Sequence, residues 1–134
     1  NVTPVIKKGG LDPGGKYYLA ALCAEWRGAT PAELARIYHM GAWCCRIKGL
    51  KDHERFYLEK ALSWFGQALE KGGVPDENRA VFTYLAGDVA RRLGDWDSAK
   101  GYYAKVEQAL REFGGDPKIG DFARRQLSAP ADFL

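Results

Sequence analysis

The chain has 134 residues, 46% hydrophobic and 28% charged, with a net charge of +3. This is the composition of an ordinary soluble domain with a usable core. It excludes a membrane-spanning segment, because no apolar run approaches the roughly 18 residues needed, and the small net charge gives no sign of a polyanion partner. Three cysteines, Cys23, Cys44 and Cys45, make a poor disulfide framework. They read as reduced, metal-free thiols in a cytoplasmic setting. Asn1 in place of an initiator Met reads as an internal start or a processed end, and Asn1-Val2-Thr3 fits a glycosylation sequon.

Residues 1–15 hold two Gly-Gly pairs and two prolines and read as an extended lead-in. A first helix is predicted from Lys16 to Arg27, stopped by Gly28. The second starts at a T-x-x-E capping box, Thr30 to Glu33, with Pro31 at its first position, and ends near Gly49. Its inner face is Leu34, Ile37, Tyr38 and Cys45. The third runs from Lys51 to Lys71, with Tyr57, Ala61, Trp64, Phe65 and Ala68 on one face and Leu58, Leu62 and Leu69 on a second. Gly72-Gly73-Val74-Pro75 ends it. A fourth helix, Asp76 to Leu93, turns Phe82, Leu85, Val89 and Leu93 inward. A fifth, from Asp95 or Trp96 to Phe113, buries Ala99, Tyr103, Val106 and Leu110. The last begins at Pro117 behind Asp116, with Ile119, Phe122, Ala123 and Leu127 inward, and residues 128–134 form a tail. No useful stretch alternates with period two, so the fold class is all-α, with about six helices in one domain over 16–127.

The two central hairpins repeat. Gly41 to Gly49 lines up with Ala86 to Gly94, and Ala61, Phe65 and Ala68 line up with Ala99, Tyr103 and Val106. The run Leu93-Gly94-Asp95-Trp96-Asp97-Ser98-Ala99, with Tyr103 four residues on and Gly87 seven before Gly94, resembles a tetratricopeptide repeat. The resemblance covers about Pro31 to Phe113 and implies a right-handed superhelix of antiparallel helix pairs. The tyrosine usual in the first helix of that repeat is replaced by Cys45 and Ala90. The runs Ala42-Trp43-Cys44-Cys45-Arg46 and Leu93 to Ala99 are also similar to the helical half of an uncharacterised bacterial family. There a zinc-ribbon-like region with cysteine pairs precedes the helices, so this chain would be the C-terminal part.

Catalytic signals are sparse. Gly10 to Tyr17 nearly spells a phosphate loop, but Tyr17 stands where Ser or Thr is needed and no βαβ pattern follows. His39, His53 and the cysteines lack metal-ligand spacing, so no metal or other cofactor is expected. Glu33, Glu54, Glu59, Glu70 and Glu77 sit where solvated helix faces put them, and no nucleophile motif is present. The chain is therefore read as a non-enzyme.

In tetratricopeptide-like stacks the first helix of each pair lines a groove. By repeat position the resemblance assigns that groove to His39, Trp43 and Arg46, and to Tyr84, Asp88 and Arg91. The aromatics offer contact area and the arginines offer forked donors, so a peptide or protein partner is expected, with Trp43 and Arg91 as anchors. The lysine/asparagine set that clamps carboxylates in some family members is absent. Alternatives are a nucleic-acid surface using Arg46, Arg91, Arg92, Arg124 and Arg125, against which the 17 acidic residues weigh, or part of an enzyme whose site lies upstream. A homodimer would cover an apolar open end.

Overall fold

The computed structural model describes residues 6–7, 10–11 and 15–130. The sequon at Asn1-Val2-Thr3, most of the lead-in including residues 12–14 of its near-phosphate loop, and the end of the tail lie outside the described residues. Within the lead-in, Ile6–Lys7 and Gly10–Leu11 form a two-residue antiparallel ladder. Six α-helices follow: α1 (Gly15–Trp26), α2 (Pro31–Ile47), α3 (Lys51–Lys71), α4 (Arg79–Arg92), α5 (Trp96–Phe113) and α6 (Pro117–Ser128). The fold is all-α. Asp76–Asn78 is a 3₁₀ turn rather than the start of the fourth helix. Among the described residues no helix is long and apolar enough to cross a membrane.

The helix ends follow local chemistry. At α2, Thr30 accepts from the Glu33 amide at 3.2 Å, while the Glu33 carboxylate accepts from the Thr30 amide at 3.3 Å. Asp95 and Asp116 cap α5 and α6 through the amides of Ser98 and Lys118. Three helices close in one way. The amide after the turn glycine reaches five residues back, Ala29 to Ala24, Leu50 to Cys45 and Asp95 to Ala90, at 2.9 to 3.0 Å. The glycine amide itself reaches three back. This double closure needs a left-handed residue, and Gly28, Gly49 and Gly94 supply it with φ of 79°, 72° and 84°.

The chain forms two compact units, 1–64 and 65–134, and α3 contributes to both. In unit one, α1 packs on α2; Tyr18, Ala21 and Ala24 of α1 and Leu34, Ala35, Tyr38 and Ala42 of α2 are buried. Tyr57 of α3 lies beside Tyr38, with ring centroids 6.2 Å apart, and Arg46 reaches Glu54 at 3.4 Å. Pairing late residues of α2 with early residues of α3 makes the hairpin antiparallel. In unit two, α4 is buried on most sides, by Ala80, Phe82, Thr83, Ala86, Gly87, Val89 and Ala90. Its small residues let α5 approach closely, with Ala99, Tyr103 and Val106 as the inner face. Leu85, Leu93, Leu110, Ile37, Trp64 and Leu62, expected inside, are half-buried, and Phe122 is exposed. On α6, Ala123 is buried as expected, and Gly120 and Gln126 are buried with it.

The close approaches set the repeat register differently from the pattern match. A Cβ on Gly41 would lie 3.0 Å from the Tyr57 ring, and one on Gly87 would lie 2.8 Å from the Tyr103 ring. Tyr57, not Phe65, is thus the counterpart of Tyr103. Counted from the turn, the two aromatics sit at nearly the same height, and the extra length of α3 lies towards its C-terminal end.

Candidate functional site

The six residues assigned to a groove divide between the units, three in each. In unit one, α2 presents His39 half-buried, Trp43 37% exposed, and Arg46 paired with Glu54. Trp43 continues a stripe at helical spacing with Met40, 54% exposed, and Ile47, 77% exposed. Repeat position assigns Trp43 but passes over Met40 and Ile47; their spacing of three and four from Trp43 was the available signal. On α1, Leu19, Leu22 and Trp26 are also exposed, the last 91%. Cys45 is buried, Cys44 half-buried and Cys23 exposed, all as free thiols. No group of three His, Cys, Asp or Glu side chains among the described residues is placed to hold a metal.

In unit two, Tyr84, Asp88 and Arg91 share a helix face, as their spacing requires, but they do not form an open site. The Tyr103 hydroxyl donates to Asp88 Oδ1 and accepts from Arg91 Nε at 3.2 Å. Arg91 Nη2 lies 3.6 Å from Asp88 Oδ1, and the Arg91 side chain is only 5% exposed. Tyr84 packs on Tyr103 at 5.5 Å and on Phe122 at 6.2 Å. This corrects the expectation for Arg91. Its guanidinium belongs to a partly buried node that ties α4 to α5 and is not a free anchor for a partner. The reason is tertiary, because the long Tyr103 side chain carries its hydroxyl to the face that a helical wheel leaves to solvent.

Burial raises the Asp88 carboxyl above its ordinary value of 3.8, and the Tyr103 hydrogen bond and Arg91 charge pull only part of the way back. The hydroxyls of Tyr103 and Tyr84 are also raised, first by burial and then through Asp88. The raised carboxyl means that the folded chain holds this proton to higher pH than the unfolded chain does. The contribution of Asp88 to stability therefore falls as pH rises from 3.8 through the folded value, then levels off. Urea denaturation of wild type and Asp88→Asn across mildly acid pH should show wild type losing ground to the variant as pH rises. A difference that grows in favour of wild type would contradict this sign.

Unit two also holds a cleft that the sequence did not reveal. Tyr102 is half-buried and lines it beside Arg79, Lys105 and Glu112. The spacing of Tyr102, Lys105, Ala109 and Glu112 on the side of α5 away from Tyr103 was its only signal.

A family model described as an uncharacterized protein conserved in bacteria (DUF2225) matches residues 13–129. The match fits the resemblance to an uncharacterised bacterial family read from the Trp43 and Trp96 regions. Neither the curated proteins nor the solved structures contain a significant match.

Proposed function

The chain belongs to this bacterial family, and for it we propose a non-catalytic protein-interaction module that captures a peptide or protein partner on the outward face of α2. The observation that carries this reading is the exposed stripe Met40, Trp43 and Ile47. Aromatic, Met and Arg side chains are the types enriched at interfaces, and tryptophan is among the residues that carry most of the binding energy there. His39 and Arg46 flank the stripe and add polar contacts. The paired glycine–tyrosine approaches in the two hairpins favour a tetratricopeptide-like scaffold, whose first helices serve this purpose. Tyr84 and Asp88 would contribute through the corresponding helix, α4. A cytoplasmic setting, where the three thiols stay reduced, goes with this reading.

The nucleic-acid alternative is weakened by where the cations are. Arg91 is enclosed by Asp88 and Tyr103, and Arg124 is paired with Glu107 and Asp121. A phosphate-binding surface would show binding that falls steeply with salt.

The test is a pull-down from the source cell with wild type and with Met40→Glu/Ile47→Lys. Both positions are exposed, so stability should change by less than about 1 kcal/mol. Partner capture is expected to be lost. A folded variant that retains every partner would refute the α2 face, and sedimentation would show whether the captured partner is a second copy.

A further inference from the structure

A distinct cleft of about 480 Å³ lies within unit two, between the end of α3, the start of α4 and the flank of α5. Its base is small or apolar: Gly66, Leu69 and Ala109. Gly66 matters because a Cβ there would sit 3.4 Å from the Tyr102 hydroxyl, so a larger side chain would occupy the space beneath that ring. Its rim carries charges of both signs, Arg79 and Lys105 against Glu70 and Glu112.

These groups differ in how far they are already engaged. Arg79 donates from Nη2 to the Leu69 carbonyl at 3.1 Å and stacks over Phe113 at 5.0 Å, so its guanidinium is held in place with other donors to spare. Glu112 accepts one bond from the Gln108 amide at 3.0 Å and keeps acceptor capacity. Among the described residues, Lys105 and Glu70 have no ion-pair partner. Burial, and then the Glu70 charge, raise the Tyr102 hydroxyl above its ordinary value.

We propose that this cleft binds a short free peptide of about three residues, its charged termini met by the opposite charges of the rim and its central side chain by Leu69 and Ala109. The volume is that of a small-ligand site. Lys105 and Glu112 are two helical turns apart, about 10 Å along α5, and three extended residues span about 10 Å. A simple anion leaves Glu70 and Glu112 facing it, a polyamine leaves Arg79 and Lys105 facing it, and an apolar ligand desolvates all four. Only a zwitterion with an apolar middle satisfies both signs.

The whole chain should be titrated with the tripeptide Ala-Leu-Ala, by calorimetry and by amide NMR. Saturable binding with Kd below about 1 mM is expected, with shifts concentrated in 66–70, 79–83 and 102–113. The same peptide acetylated and amidated should bind at least about tenfold more weakly, and Lys105→Met and Glu112→Gln should each weaken binding about fivefold without lowering Tm. Gly66→Leu, which fills the base, should abolish it. No saturation up to about 10 mM, equal binding of the blocked peptide, or shifts confined to other segments would overturn the proposal. None of these outcomes bears on the α2 face, whose test reads a different surface.

Discussion

Replacing Tyr103 with alanine should lower the unfolding free energy by about 4 kcal/mol, the range for truncating a buried aromatic. The ring is 1% exposed and lies under Gly87, with Tyr84 at 5.5 Å and Trp96 at 6.3 Å. Without the ring a cavity opens beside Gly87, which has no side chain to fill it. Tyr103→Phe separates ring from hydroxyl. It keeps the packing but removes the donor to Asp88 and the acceptor for Arg91, and should lower stability by about 1–2 kcal/mol. Urea denaturation of the three proteins decides the matter. A Phe variant as unstable as the Ala variant would mean the hydrogen bonds, not the packing, hold α4 to α5. Losses below about 1 kcal/mol for both would remove Tyr103 from its central place.

Much of the fold was legible because its punctuation is local. Thr30, Pro31 and Glu33 carry the start of α2 in their own hydrogen bonds, and Gly28, Gly49 and Gly94 end three helices because the closing turn needs a residue tolerant of positive φ. The boundaries of α3 and α5 follow from the same signals. The register of the repeat was not legible. Tyr57, Ala61, Phe65 and Ala68 recur every three or four residues along α3, and all are fully buried. A helical period alone therefore gives several equivalent alignments with Ala99, Tyr103 and Val106. What chooses among them is which aromatic a glycine on the facing helix admits, a contact that depends on distance from the turn.

The candidate site divides in the same way. The exposure of Trp43 could be read from its helix, because α2 has a clear inner face in Leu34, Tyr38 and Cys45. The burial of Arg91 could not, because the group that covers it comes from a different helix. The cleft beside Tyr102 also depends on three segments distant in sequence, each unremarkable alone. Adjacent aromatics such as Tyr102 and Tyr103 necessarily point about 100° apart on a helix, so only one of them can be core on a given side. Of this pair, Tyr103 packs inward and Tyr102 looks into the cleft.

Arg46 and Arg91 stand at matching places before the turns of their hairpins, and substitution should show that they do different work. Arg91→Ala should lower stability by about 3 kcal/mol. Its side chain is 5% exposed, its partner Asp88 is 18% exposed, and removing one member of such a pair leaves the other charge poorly solvated. The raised Asp88 carboxyl would rise further without the neighbouring cation, so the Ala variant should recover part of its lost stability as pH falls and Asp88 is neutralised. Arg46→Ala should lower stability less, by about 1–2 kcal/mol, because the Arg46 side chain is 31% exposed, although its partner Glu54, at 3.4 Å, is only 12% exposed. Thermal and urea unfolding of both variants provides the comparison. Equal, small losses would return Arg91 to the set of available surface cations and revive its part in partner binding. The expected inequality instead leaves Arg46 as the arginine whose loss can be read in a capture experiment without a folding defect. Arg46→Ala should then weaken capture on the α2 face while the Arg91 variant reports on the α4–α5 node alone.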